Sequence, residues 1–417
     1  MAFHPNLRHV RLFSLCLSVG SMTEAASRMG VSQPAASQAL ARLETDLAAP
    51  LLERRRGALS ATAEGALFAR RAERALALVR AGCAALARQR PVPGGATVDA
   101  QAPRQETRQE TRLEHRLTTP HLRALSAFAE AESFAGAARL LGLSEPAVQR
   151  MARHVEALLE VPLFEGPRHA LHFSAAGREV ARWSALALKE LENAADELRE
   201  ARGEFAGLVA VGTLPLARTQ IVPDAVSVVA QRHPRARFEI LEGEYNRHVA
   251  DLERGRIDLL VGALRDGPPG RGLVQEPILD FDLAVVARAG HPLDGRAGIG
   301  PAEMAAFPWI VARRGTPSRG TFEELAQGFP PDMPARRSVE TGSLVAIRGL
   351  LTRGDHLALL SAHQVQYEIR SGLLTTLDAA LPGNRRPMGI TTRRGWMPTA
   401  LMSEFVAALR QAARDLG

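Results

Sequence analysis

The sequence predicts a multidomain chain: two α-rich winged helix-turn-helix segments, each followed by a long helix, and then an α/β body. Three observations carry this. Residues 10–65 align without a gap on residues 122–177 at an offset of 112, and about a third of the aligned pairs are identical, an internal repeat too short in number for a solenoid. Shared residues include Ser21/Ser133, Ala25/Ala137, Gly30/Gly142, Ser32/Ser144, Pro34/Pro146, Glu44/Glu156, Leu47/Leu159, Pro50/Pro162 and Gly65/Gly177. Each copy spaces its apolar residues helically around a short turn containing Gly. After Gly203 the texture changes to short apolar runs alternating with amphipathic helices, which reads as a parallel sheet.

In the first copy, Val10, Phe13, Cys16 and Leu17 mark helix one. Thr23 is expected to cap a short second helix that ends at Gly30. Ser32 then caps a third helix with Pro34 in its first turn, running to about Leu47. Leu51-Leu52 and Leu59–Thr62 flank the basic turn Glu53-Arg54-Arg55-Arg56-Gly57, giving a wing. A helix from Thr62 to about Gln89 carries the stripe Phe68, Ala72, Leu76, Val79, Cys83 and Leu86, which suits pairing with another helix. Residues 91–118 lack periodicity and read as a flexible linker; at ~5–6 Å × √n its reach is roughly 30 Å, enough to set the two copies side by side. The second copy ends in a helix over about Ser174–Arg202, striped by Val180, Trp183, Ala187, Leu191, Ala194 and Leu198. Beyond it, GLVAVGT, ARFEIL and IDLLVGAL alternate with helices. Gly-Pro-Pro-Gly at 267–270 breaks the pattern, DLAVVAR, PWIVAR, RRSVET and HLALLS follow as strands, and a helix at about Pro398–Ala413 closes the chain.

The resulting domains are residues 1–65 (first winged segment), 66–90 (first linker helix), 91–118 (flexible linker), 119–177 (second winged segment), 178–203 (second linker helix) and 204–417 (α/β body). Within the last, lobe I spans about 204–266 plus the C-terminal segment and lobe II about 267–370. The two linker helices are expected to pair within one chain.

At 46% hydrophobic and 23% charged the chain can bury proper cores. Its net charge is +7, and residues 1–120 hold seventeen Arg against ten Asp or Glu, so the whole excess sits there. A basic end on a neutral body suggests a polyanion partner. The two cysteines, Cys16 and Cys83, fall on apolar helix positions and read as buried thiols rather than a disulfide or zinc set. Neither a targeting segment nor an apolar run of membrane length is evident, so a cytoplasmic location and no membrane partner are expected. No nucleophile elbow, metal-ligand spacing or phosphate loop occurs, and His291 sits in a His-Pro-Leu turn that reads as structural. Catalysis, metals and cofactors are therefore not expected.

The pattern from Ala25 to Arg54, followed by Thr-Ala-Glu-Gly at 62–65, resembles the LysR-type bacterial transcriptional regulators. LEGEYNRHVADLERGRIDLLVGAL, His291-Pro292-Leu293, PWIVARRGTPSRG and VETGSLVAIRGLLTRGDHLALLS fall in that family's order and spacing. The second copy plus residues 207–417 look like one complete regulator, and the first copy is an additional head. The resemblance implies a winged helix-turn-helix, a dimerising linker helix and a two-lobed, type 2 periplasmic-binding-protein-like effector domain. It also implies double-stranded promoter DNA, a small metabolite between the lobes, a homo-oligomer (dimer or tetramer) and RNA polymerase as partners.

A recognition helix puts its N-terminal side chains on base edges. In the first copy these are Ser32, Gln33, Pro34, Ser37 and Gln38, with Ser21 and Thr23 at the helix-two N-terminus and Arg42, Arg54, Arg55 and Arg56 suited to phosphates. The second copy retains Ser144, Gln149, Arg150 and Arg153. However, Glu145 replaces Gln33 and Gly166-Pro167-Arg168 replaces the three arginines. The first copy is thus expected to be the principal reader, and the second a weaker reader of different sequence or mostly structural. By the same resemblance, effector contacts fall on Thr213, Tyr245, Asn246, Gly262, Thr316, Ser318, Arg319, Gly342 and Ser343. Hydroxyls, amides and an Arg at helix N-termini favour a small anion or polyhydroxylated metabolite. Competing readings are an architectural DNA binder with a non-sensing effector domain and a solute-binding protein.

Overall fold

The computed structural model describes residues 4–55, 57–87, 114–167, 170–267, 269–330, 338–381, 383 and 385–416. They form two compact units, 1–207 with 254–256, and 208–253 with 257–417.

The first unit holds the same element order twice. In the first copy α1 (Leu7–Val19), α2 (Met22–Arg28) and α3 (Gln33–Leu47) precede the hairpin β1 (Leu52–Arg55) and β2 (Ala58–Ala61), then α4 (Ala63–Ala87). The second has α5 (Thr119–Ala131), α6 (Phe134–Leu141), α7 (Glu145–Leu159), β3 (Phe164–Glu165), β4 (His172–Phe173) and α8 (Ala175–Ala201). One cap differs from expectation. Ser21, not Thr23, caps α2, its hydroxyl accepting from the Glu24 amide at 3.3 Å. Thr23 is already the second residue of the helix, past the extended cap position that Ser21 holds. Ser32 caps α3 as expected.

Several repeated residues have the same mechanical cause in both copies. The Glu44 carboxylate accepts from the Leu51 and Leu52 amides at 2.7 and 3.2 Å, and that of Glu156 from Leu163 and Phe164 at 2.8 and 3.3 Å. Each pins its recognition helix to its hairpin. A methyl on Gly65 would stand 1.9 Å from the Leu51 carbonyl oxygen, and one on Gly177 2.0 Å from that of Leu163. Only Gly lets the long helix leave the hairpin so closely.

The stripes of α4 and α8 are buried together in a single core with both three-helix groups. Trp183 packs over Gly82, where an added methyl would stand 2.3 Å from the indole. Across the same helix pair the fully buried Arg71 guanidinium donates to Glu190 at 2.7 Å and to Glu197 at 2.6 and 3.1 Å. Cys16 and Cys83 are buried, and burial pushes the Cys16 thiol up to about 11.

Residues 91–113 of the expected linker, and 88–90 at the end of the expected helix before it, lie outside the described residues, but the linker's last residues do not behave as a free tether. Leu117 is buried, and Arg11, buried in α1, donates to the Leu117 carbonyl at 2.9 Å and also to that of Glu114. Burial brings the Arg11 guanidinium down to about 10, so these carbonyls are its solvation.

The second unit is built on one nine-stranded sheet, ordered β10-β9-β11-β8-β13-β7-β5-β6 with β12 on β8. Strands β5 (Leu208–Thr213), β6 (Arg237–Glu242) and β7 (Leu259–Ala263) run parallel. So do β9 (Trp309–Val311), β10 (Val339–Glu340) and β11 (Leu357–Ser361). The expected separate strand DLAVVAR is the second half of β8, Leu273–Arg288. Its first half pairs with β13 (Arg385–Arg393) and its second with β11 and β12 (Leu374–Leu377), so one strand serves both lobes. Strands β12 and β13 are additions to the sequence reading; Pro387 and a register shift at Met388/Gly389 interrupt β13's alternation. The closing helix Ala400–Arg414 is capped by Thr399. His291 is buried and accepts from the Leu293 amide at 3.1 Å, a turn element.

Candidate functional site

Helix α3 starts from the Ser32 cap with Pro34 in its first turn, and Ala36, Leu40 and Leu43 hold one face in the core. Ser32, Gln33, Pro34, Ser37, Gln38 and Arg42 are all exposed on it. Ser21 is half-buried as a cap and Thr23 is exposed beside it. In the hairpin Arg54 is exposed, and Arg55 is exposed but bridged to Glu53 at 2.7 Å; Arg56 lies outside the described residues. The first copy thus brings amide, hydroxyl and guanidinium groups into solvent along one helix and its adjoining turn.

The second copy is different in kind. Ser144, Gln149 and Arg150 are exposed, and so is Glu145, in the first turn of α7 where the helix dipole favours a carboxylate. Arg153 is not presented in the same way. It pairs with Glu156, one turn along the same helix, at 2.6 Å and lies 5.0 Å over the Phe164 ring, and the ring contact is the part that spacing did not reveal. Arg168 lies outside the described residues.

In the second unit the parallel strands form two groups, β5, β6 and β7 in one and β9, β10 and β11 in the other, and ligands in open α/β sheets usually sit beyond the C-terminal ends of such strands. An ion pair links the two groups beyond their strand ends: Arg313, after β9, donates to Glu244, after β6, at 2.5 Å. Gln366, beyond β11, donates to Gln220, ahead of the helix Ile221–Arg232 that follows β5. Tyr245 opens the helix Tyr245–Glu253; its hydroxyl donates to the Pro269 carbonyl at 3.4 Å and its ring carries the Arg265 guanidinium at 4.9 Å. Burial lowers the Arg265 pKa and raises that of Tyr245. Asn246 is exposed next to it.

The other expected contacts divide. Thr213 is fully buried; its hydroxyl donates to Leu241 at 3.1 Å and accepts from Arg218 at 3.2 Å. Gly262 makes room for Leu214, whose Cβ would be 2.4 Å from an added methyl. Thr316 donates to the Arg313 carbonyl at 2.7 Å, and Ser318 beside it is half-buried. Arg319 is held by Glu323 at 2.8 Å and Glu340 at 2.9 Å, so its charge is already answered. Ser343 caps the helix Leu344–Leu351 and Gly342 is exposed before it. Sequence reasoning missed Arg218, Glu244, Arg265 and Arg313. Charged residues just beyond strand ends were the available signal. Among the described residues no group of His, Cys, Asp and Glu could hold a metal, and no helix is long and apolar enough to cross a membrane.

Comparison with known proteins adds the following. Residues 202–414 match the model of the LysR substrate binding domain. Residues 7–66 and again 119–178 match that of the bacterial regulatory helix-turn-helix protein, lysR family. The HTH-type transcriptional regulator GalR of Pseudomonas putida is 32% identical over 417 residues, covering 99% of this chain and 98% of that one. A probable hydrogen peroxide-inducible genes activator of Streptomyces viridosporus is 29% identical and covers 71% of this chain but 94% of its own length. Among solved structures, a full-length OxyR variant from Pseudomonas aeruginosa is 20% identical with a TM-score of 0.54, covering 72% of this chain and 95% of that one, a likeness of fold.

Proposed function

This chain belongs to the LysR family of bacterial regulatory helix-turn-helix proteins, and from that premise we propose how its two copies divide the work. It is a DNA-binding transcriptional regulator with an effector-binding domain, not an enzyme. Both copies are winged helix-turn-helix heads on linker helices that pair within the chain as a pseudo-dimer. The first head is the principal reader of double-stranded promoter DNA. The observation carrying this is that α3 leaves Gln33, Ser37 and Gln38 in solvent beside an exposed Arg54, whereas the second head ties up Arg153 and adds Glu145. A carboxylate near the phosphate backbone opposes binding.

A salt-controlled binding comparison on the promoter region beside its own gene tests this. Gln33→Ala/Arg54→Ala should weaken binding to the specific site more than Glu145→Ala/Arg150→Ala does. The reverse order refutes the assignment of roles.

The two-lobed, periplasmic-binding-protein-like domain is the sensor, with the effector held at the strand ends near Tyr245, Asn246, Thr316, Ser318, Gly342 and Ser343. A half-buried guanidinium on an aromatic ring, together with helix N-termini, favours a small anion or polyhydroxylated metabolite. Thr213, Gly262 and Arg319 brace these strand ends. A panel of small carboxylates and sugars should contain a compound that raises the melting temperature of the wild type and not of Arg265→Ala. An unchanged response in that variant removes Arg265 from the site. The domain boundaries follow from the same reading, as do cytoplasmic location, assembly through further copies of the chain, and action on RNA polymerase.

A further inference from the structure

We infer that one chain's pair of heads is an asymmetric operator-reading unit, so its target is a pair of unlike half-sites rather than a palindrome; this rests on the reading of both copies as DNA-binding heads. Two independent features carry it, one in how the copies pair and one in what they present.

The pairing is two-fold in plan but unlike in chemistry. Leu7 and Thr119 occupy equivalent positions of the repeat, 112 residues apart, and they meet: the Leu7 amide donates to the Thr119 hydroxyl at 2.8 Å, which donates to Pro5 at 2.8 Å. A residue that meets its own counterpart lies on a two-fold axis. Along α4 and α8 the counterpart of Arg71 is Trp183, and those of Glu190 and Glu197 are Leu78 and Ala85. One side of the axis is therefore an ionic lock, Arg71 with Glu190 and Glu197. The other side is an apolar one, Trp183 on Gly82.

Neither helix can replace the other. Two α4 helices in this register would set Arg71 against Leu78 and Ala85, a buried guanidinium without a carboxylate. Two α8 helices would set Trp183 against Ala194, the counterpart of Gly82, where the methyl has no room. Mismatches of this kind select the unlike pair. Every reading unit consequently holds one first head and one second head.

Those heads present different base-edge chemistry. Gln33 and Gln38 on α3 are amides, which pair in two-point fashion with adenine. Their counterparts on α7 are Glu145 and Arg150, both exposed. A carboxylate accepts from cytosine and a guanidinium pairs in two-point fashion with guanine. The first half-site is accordingly read at A·T pairs and the second at G·C pairs.

The test is selection from a random duplex library by the full-length protein, then binding at fixed salt. The duplexes are the selected site, two palindromes made by doubling either half, and a scrambled control. Two dissimilar halves are expected, with both palindromes at least about tenfold weaker. Arg150→Ala should lose about five- to hundredfold discrimination at a G·C pair in one half, and Gln33→Ala a similar factor at an A·T pair in the other. Both residues are exposed, so the variants keep their fold, which circular dichroism checks. A palindromic selected site, or a palindrome that binds as tightly, overturns the inference. So does an Arg150→Ala variant that weakens every duplex equally, the signature of a phosphate contact. No preference over the scrambled duplex would instead sink the underlying reading of the heads.

Discussion

Arg71→Met is the sharpest perturbation of the helix pair. The native guanidinium is fully buried and spans two carboxylates that are themselves only 13% and 12% exposed at the side chain. Removing it leaves Glu190 with Arg74 at 3.1 Å and Glu197 with Arg70 at 3.9 Å, neither in the buried two-carboxylate geometry. Breaking a buried pair by deleting one partner costs about 3–5 kcal/mol, because the other charge stays desolvated. For a unit of some two hundred residues that corresponds to a fall of roughly 6–20 °C in melting temperature. The fluorescence of Trp183, isolated by Trp309→Phe and Trp396→Phe, reports unfolding of this unit alone, since the other two tryptophans lie in the second unit. The triple variant Arg71→Met/Glu190→Leu/Glu197→Leu should recover most of the loss, because replacing all charges by apolar groups removes the desolvation cost as well. A single variant within about 1 kcal/mol of wild type, the size of an exposed pair, would refute the claim that the lock holds the helices in an unlike pair.

Three further outcomes are expected. Arg54→Ala should reduce the slope of log K against log salt by about 0.9, the contribution of one phosphate contact; an unchanged slope would place Arg54 off the DNA. His121, whose ring nitrogen accepts from the Thr118 amide at 3.2 Å, has its pKa brought down to about 4 by burial and by His154. Its folded pKa is below its unfolded one, so its contribution to stability is full above pH 6.5 and is lost as pH falls through 4; urea midpoints for wild type and His121→Gln should diverge over that window, and parallel curves would contradict the assignment. Gly65→Ala and Gly177→Ala should each cost about 3 kcal/mol, since the added methyl meets a backbone oxygen that cannot rotate away; calorimetry showing either variant at wild-type stability would contradict the close approach.

What the sequence made legible was whatever depends on period and local chemistry. The stripes of α4 and α8 are buried position for position, from Phe68 to Leu86 and from Val180 to Leu198, because a 3.6-residue period needs no knowledge of the partner. The Ser32 cap and the parallel strands were legible for the same reason. Long polar side chains were not. Arg153 and Arg319 were read as DNA and effector contacts, yet Arg153 pairs with Glu156 one turn along its helix, and Arg319 with Glu323 one turn along and with Glu340 of β10. Thr213 at the end of an apolar run looked like a contact, but the neighbouring strand's Leu241 carbonyl takes its hydroxyl. Helical spacing already offered the i+3 and i+4 carboxylates as partners; Glu340 and the Leu241 carbonyl were out of view because strand pairing brings them up.

The same distinction explains why the repeat revealed a pair of helices but not its specificity. A homodimeric interface uses each position twice, once on either side of the axis, so a buried charge there must be answered by a residue of the same chain in both places. Once two copies share one chain, the constraint is lifted: position 71 can carry a guanidinium while position 183, its counterpart, carries an indole. The partners of Arg71 lie 119 and 126 residues away, beyond any local pattern, and aligning the copies shows only that Arg and Trp disagree. Physically, that disagreement is the informative signal. Conserved geometry with unlike residues at an axis is what a fused pair needs to reject its own like-with-like pairings. The recognition helices diverge on the same terms, amide in one and carboxylate or guanidinium in the other. On the proposed reading of the heads, a lock that enforces one of each kind is what would give that second divergence a consequence for the DNA.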